Sequence, residues 1–274
     1  MENKKCCICG PLKNCGPFLK RVLENIEKIG SIFEDYRIIL FYDESSDNSL
    51  DILKKIQLKN NRLEFFVNRN PLSTFRTHNI AFARNFCLKQ VKEKYSDYSY
   101  FIMMDLDDVN CKTVHPHLLT KYINEKSEDW DALSFQTSPN YYDIWGLSIF
   151  PYCFSYNHFK NNQKYYSIIQ KYVEKKLTNL APGTLLPCLS AFNGFSIYKT
   201  SVFKDCFYDG TIRLDLVPKK WIQAHSLVTN SPLIFKKYIT VDGRYEDCEH
   251  RVFHYQAIMQ KNAKIRISPE ILFS

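Results

Sequence analysis

The sequence predicts an α/β fold, a Rossmann-like doubly wound, mostly parallel sheet flanked by helices, followed by an irregular second half. Two observations predict it. Through the first 110 residues, short apolar runs alternate with stretches whose apolar residues recur at helical spacing, as repeated βα units with right-handed crossovers require. The fourth apolar run, Tyr-Phe-Ile-Met-Met, stops at Asp105-Leu106-Asp107-Asp108. Acids then lie at the C-terminal edge of a strand, where open α/β sheets bind their ligands.

The elements follow in order. Cys6-Cys7-Ile8-Cys9 is a short apolar strand that meets Gly10. Pro17 opens a helix with Phe18, Leu19, Val22, Leu23, Ile26 and Ile29 at helical spacing, closed at Gly30, in keeping with proline at a helix start and glycine past its end. A second strand covers 36–42. The turn Asp43-Glu44-Ser45-Ser46-Asp47-Asn48-Ser49 leads into a helix through Leu50, Leu53 and Ile56, with Asp47, Asn48 or Ser49 as its N-cap. A third strand spans 63–67, its helix spans 78–94 with Ile80, Ala83, Cys87 and Val91 inward, and the fourth strand ends at Asp105. Beyond Asn110 the alternation decays. A strand is expected over 130–136, a helical or lid-like excursion over 160–180, a strand around 195–198 and a last helix from near Tyr245. The chain reads as one domain, with a nucleotide-binding half over 1–110 and a second half over 111–274.

The 274 residues can bury a full core. A formal charge of +8 permits contact with polyanions, but the excess is scattered lysine without a basic stripe. A nucleic-acid-binding module is therefore the weaker alternative, and no nucleic-acid partner is expected. No stretch approaches the roughly 18 apolar residues of a spanning helix, and the N-terminus lacks a signal-peptide core. The expectation is a chain without a transmembrane segment, kept in the cytoplasm with its ten cysteines reduced. Cys6 and Cys9 form a C-x-x-C with Cys15 nearby, but a zinc site needs a fourth ligand, so these are expected to be core thiols.

Asp105 and Asp107 point the same way if strand geometry continues past the apolar run. Two converging carboxylates repel unless a cation lies between them, and a divalent ion carrying a phosphorylated substrate meets that need. Asp108 is expected to cap the following turn. The pattern G-x-x-x-x-G-K-[ST] is absent, which disfavours P-loop phosphoryl transfer.

Four elements in order resemble a GT-A type nucleotide-sugar glycosyltransferase over residues 6–255. They are the turn Tyr42-Asp43-Glu44-Ser45-Ser46-Asp47-Asn48-Ser49, the helix start Asn79-Ile80-Ala81-Phe82-Ala83-Arg84-Asn85, the D-x-D of Asp105-Leu106-Asp107-Asp108, and Glu246-Asp247-Cys248-Glu249-His250 with His254. Within that group the chain is similar to the fungal capsule-associated mannosyltransferase-like family and related enzymes of large DNA viruses. Many relatives carry two aspartates and a glycine where this turn has Asp43-Glu44-Ser45.

The resemblance implies metal-dependent hexosyl or pentosyl transfer from a UDP- or GDP-type sugar donor to a hydroxyl of a glycan or glycoconjugate acceptor, in the cytoplasm, that of a virus-infected host cell included. It implies Mn²⁺ or Mg²⁺ on Asp105 and Asp107, helped by His250 or His254, and a base drawn from Asp247 or Glu249 acting in a single displacement with inversion. Asp247, His250 and His254 share one helical face by their spacing. Asp43 is expected on the nucleobase or ribose, Arg76 and Arg84 on phosphate or sugar. Trp145, Trp221 and the tyrosines of 141–156 are candidate sugar platforms, and Asn193-Gly194 the turn under the acceptor. The competing enzyme is a nucleotidyltransferase acting on sugar phosphates, but the loop after the first strand holds only Gly10 and Gly16 among Lys13 and Lys20.

Overall fold

The alternation of side chains along an extended strand decides the layering here. In the computed structural model, which describes residues 4–230, 233–235 and 245–274, the first half supplies β1 (Lys5–Leu12), α1 (Gly16–Gly30), β2 (Asp35–Asp43), α2 (Ser49–Gln57), β3 (Leu63–Asn68), α3 (Arg76–Lys94) and β4 (Tyr100–Met104). These four strands lie in the order β3-β2-β1-β4 and all run parallel. Cys6, Ile8, Ile38 and Leu40 meet Leu19, Val22, Leu23 and Ile26 of α1 on one face. Cys7, Cys9, Ile39 and Phe41 meet Ala83, Cys87, Leu88 and Val91 of α3 on the other. Where β1 passes β4 the backbones crowd: a Cβ on Gly10 would stand 2.4 Å from the Met104 carbonyl oxygen.

Cys6 and Cys9 therefore enter different layers, and the C-x-x-C does not converge on one ion. Burial pushes the thiols of Cys6, Cys7 and Cys9 up, which suppresses the reactive thiolate. Of the ten cysteines, all free, only Cys111 is not buried. Titration of the native protein with a thiol reagent should accordingly modify Cys111 rapidly and the other nine only after denaturation; several fast-reacting thiols would contradict this packing.

The second half contributes α4 (Pro116–Glu125), β5 (Ala132–Gln136), α5 (Asn162–Thr178), β6 (Leu186–Cys188), β7 (Phe195–Lys199), α6 (Thr200–Phe203), α7 (Lys219–Thr229), α8 (Glu249–Lys261) and β8 (Ile265–Ile271). It extends the sheet to eight strands in the order β3-β2-β1-β4-β7-β5-β8-β6. β7 is antiparallel to both β4 and β5, and β8 is parallel to β5 but antiparallel to β6. The sheet is thus mixed beyond β4. The expected excursion over 160–180 is an ordinary helix, α5, which buries Ile169, Val173 and Leu177. α4, α7, β6 and β8 were not anticipated. β8 reads Ile-Arg-Ile-Ser-Pro-Glu-Ile, and its proline hides a strand whose place is decided by pairing with the distant β5. No described helix is long and apolar enough to cross a membrane.

Candidate active site

Because β1, β2, β3 and β4 are parallel, their C-terminal ends open on a common edge. A cleft of about 420 Å³ lies there, lined among others by Leu12, Asn14, Asp43, Arg76, Asp105 and Asp107. One wall is the loop after β1, over 11–15, which is tied to the serine-bearing turn after β2. Asn14, in the left-handed region at φ 54°, donates its N–H to Ser45 Oγ (2.9 Å) and accepts from Ser46 N (2.8 Å). Asp47 accepts from Gly16 N (2.7 Å) and Ser49 N (3.0 Å). Asn48 occupies the N-cap of α2 without a side-chain cap bond. Serine hydroxyls therefore close this turn. Asp43 accepts from Asn68 Nδ2 (2.7 Å) at the end of β3. Arg76 is the first residue of α3 and exposed at the cleft.

The acids after β4 are clamped from below. Asp105 N donates to Gly194 O (2.9 Å), and Asn110 Nδ2 donates to Asp105 O (2.8 Å) and Gly194 O (2.7 Å). Gly194 sits at φ +82°, and a Cβ there would meet Val109 at 2.7 Å, so glycine is required. Asp107, rather than Asp108, caps the 3-10 turn Asp108–Asn110 by accepting from Val109 N (3.2 Å). Burial pushes the Asp105 carboxyl up to about 7; Arg84 opposes the shift and Asp107 adds to it. Burial also raises Asp107, with Asp108 adding to the shift. Two mutually repelling carboxylates on one cleft suit Mg²⁺ or Mn²⁺ shared with substrate phosphates, which needs only one or two protein carboxylates. Among the described residues no group of three or more His, Cys, Asp or Glu converges as an all-protein cage.

Behind Asp105 lies a buried cation. Arg84 donates through Nη2 to Asp105 Oδ1 (2.9 Å) and through Nη1 to Glu249, and touches His250 Nε2. Burial works against its charge, but Glu249 and Asp105 more than offset that. The start of α8 is thereby brought beside the D-x-D, one guanidinium away. Only 3% exposed, Arg84 joins Asp105 to Glu249.

Packing engages several of the other candidate residues. His254 has both ring nitrogens engaged, with Ser190 Oγ (2.9 Å) and Tyr198 OH (3.2 Å), and has no nitrogen left for a metal. His250 stacks on Phe192 at 3.8 Å beside the Arg84 charge. Both histidines are buried, because α8 is inward-facing over 249–257. Asp247 is enclosed by Arg251 Nε (2.9 Å) and His158 Nε2 (3.2 Å), which hold its carboxyl below the usual range despite burial. Trp221 packs with Cys153, Phe154 and Tyr255. Trp145 is half-buried, its carbonyl accepting from Arg251 Nη2 (2.5 Å), and it does not line this cleft. Asn193 spends its amide on the loop after β5, accepting from Tyr142 N (3.1 Å) and Asp143 N (2.9 Å) and donating to Phe135 O (2.7 Å).

That loop presents a residue missed in the sequence. Asp143 is half-buried, accepts from Gly146 N (2.8 Å), and has its carboxyl raised by burial, with Glu249 adding to the shift. An acid inside the aromatic stretch 141–156 was its only sequence signal.

Burial lowers His254 to about 3, helped by the Arg251 and Arg84 charges. An unfolded histidine titrates near 6.5, so the stability from keeping His254 neutral is complete above that pH and is lost as pH falls toward 3. His254→Gln removes this proton uptake. Relative to the parent it should gain about 1.4 kcal/mol per pH unit below 6.5, read from urea midpoints at pH 7.5, 5.5 and 4.5; parallel curves would contradict it.

The sequence profile of glycosyl transferase family 2 matches residues 7–206. The chain belongs to glycosyl transferase family 2. The eight-stranded α/β sheet accords with the GT-A architecture expected from the sequence. No curated protein sequence matches it. Among solved structures it is similar to S. aureus TarS 1–349 at 14% identity and a TM-score of 0.48, covering 98% of this chain and 59% of that one. The same TarS fragment in complex with UDP-GlcNAc gives 14%, 0.48, 98% and 57%, and with UDP 13%, 0.49, 98% and 59%. The family 2 chain thus spans less than two thirds of these structures.

Proposed function

We propose that the chain moves a hexosyl or pentosyl unit from a UDP- or GDP-type sugar to a hydroxyl of a glycan or glycoconjugate, with Mn²⁺ or Mg²⁺, by a single inverting displacement. The observation that carries this is the cleft at the parallel edge of a family 2 chain, with Asp105 and Asp107 on it and Arg76 at its mouth. Residues 1–110 hold the nucleotide and 111–274 the acceptor. Asp105 and Asp107 hold the divalent ion, which when bound supplies charge stabilisation for the departing diphosphate. Arg76 meets the phosphates, and Asp43, oriented by Asn68, meets the ribose or base. Acceptor deprotonation falls to a carboxylate at the start of α8, Asp247 or Glu249. Arg84 ties Glu249 to Asp105, and Arg251 and His158 brace Asp247. Kinship with the capsule-associated mannosyltransferase-like enzymes and their viral relatives, and a cytoplasmic location, belong to the same reading.

Thermal shifts with UDP, GDP and a panel of their sugars test it. A ligand that binds only the folded protein stabilises by about 2.7 kcal/mol at a hundredfold excess over Kd. A shift is expected with Mn²⁺ present and its loss with excess chelator. No shift with any member of the panel would overturn the reading.

A further inference from the structure

On the far side of the D-x-D turn lies a second cleft, of about 340 Å³, within the range of small-molecule sites. The turn divides the two: Asp107 lines the first cleft and Asp108 the second, where it is joined by Lys112, Asn140, Tyr142, Tyr166 and Gln170. The loop supplying Asn140 and Tyr142 is held in place. Thr137 Oγ1 donates to Asn140 O (2.7 Å) and accepts from Tyr142 N (3.1 Å), while Asn193 accepts from Tyr142 N and Asp143 N. Gln170 Nε2 donates to Tyr141 O (3.2 Å), which orients the amide and leaves its oxygen to accept. Lys112 Nζ gives one hydrogen bond to Ser138 O (2.9 Å) and keeps two N–H groups.

Tyr142 lines the second cleft and feels the carboxylates of the first. It is 52% exposed although the backbone around it is pinned. Its phenol is pushed up to about 12 by burial and by the carboxylates of Asp105 and Asp107 across the turn. Its neighbour in sequence is Asp143. A ring in the second cleft resting on Tyr142 would thus lie beside the D-x-D turn, which contributes Asp108 to the same lining.

The lining pairs aromatic surfaces with amide, ammonium and carboxylate groups. This suits a pyranose ring, which offers an apolar C–H face to an aromatic and hydroxyls, each donor and acceptor, to the polar groups. A phosphate would meet Asp108 as well as Lys112, and a lipid chain would strand the polar side chains unpaired. We propose that this cleft is the acceptor subsite and takes a neutral pyranoside, the end of a glycan, stacked on Tyr142. The inference rests on the donor reading of the first cleft.

Saturation-transfer NMR tests it, with UDP or GDP plus Mn²⁺ as one probe. The other is a panel of methyl pyranosides of glucose, galactose, mannose and N-acetylglucosamine with their disaccharides. At least one pyranoside should receive saturation from the parent protein, and Tyr142→Ala and Gln170→Ala should each weaken that signal about fivefold or more. The nucleotide signal should be unchanged in Gln170→Ala. Nucleotide binding with no pyranoside signal, or with equal pyranoside signals in parent and both variants, overturns the subsite and spares the donor reading. Absence of nucleotide binding in the parent overturns the donor reading itself.

Discussion

Asp107→Asn is expected to lower sugar transfer by about two to three orders of magnitude, the range for deleting one preorganised electrostatic partner, while the protein stays folded. The fold survives because the structural duty of Asp107 is a single accepted bond from Val109 N, which an asparagine oxygen also accepts. Removing its charge also relieves a carboxyl already raised by burial and by Asp108. The loss is confined to holding the divalent ion against the diphosphate, since neutral Asn is a poorer ligand for a hard cation. Steady-state kinetics beside circular dichroism would show it. Full activity in Asp107→Asn, or nucleotide affinity in the parent that is indifferent to chelator, would sink the D-x-D assignment.

Arg84→Ala is expected to cost about 3–5 kcal/mol of stability, as removing one member of a buried ion pair does. Arg84 and Glu249 have side chains only 4% and 5% exposed, and Asp105 is 23% exposed. Alanine would leave Glu249 without its charge partner beneath the cleft and would strip Asp105 of the cation that opposes its raised pKa. The guanidinium also lies 4.5 Å from the Phe192 ring centroid, a cation–π attraction that alanine would remove. Arg84→Lys should recover only part of the loss, because a single ammonium cannot reproduce the fork that reaches both acids. Urea unfolding of the three proteins measures this; an alanine variant within about 1 kcal/mol of the parent, the usual range of surface pairs, would show that the network is not formed as described.

How far the site was legible follows from which forces are local. The D-x-D, the turn after β2 and the start of α3 lie at the ends of β4, β2 and the loop after β3, and all three reach the cleft. Apolar runs and helical spacing mark those positions without knowledge of the rest of the chain. The direction of α8 was not local. Asp247, His250 and His254 do share a helical face by spacing, but that face turns toward the sheet, where Ser190, Tyr198 and Phe192 claim the histidines and Arg251 claims the aspartate. Helical periodicity reports which residues sit together and not what they face. Asp143 was overlooked for a related reason: the loop after β5 owes its shape to Asn193, some fifty residues later.

By itself, then, the sequence determined the four parallel strands with their helices and the acids at their common edge, because these depend on alternation and spacing within a few turns of chain. Tertiary structure alone decided the antiparallel insertion of β7, the place of β8, the burial of Arg84 between Asp105 and Glu249, and which carboxylates stay open to a substrate. Each of these depends on desolvation and partner choice between segments far apart in sequence, which short-range pattern does not encode.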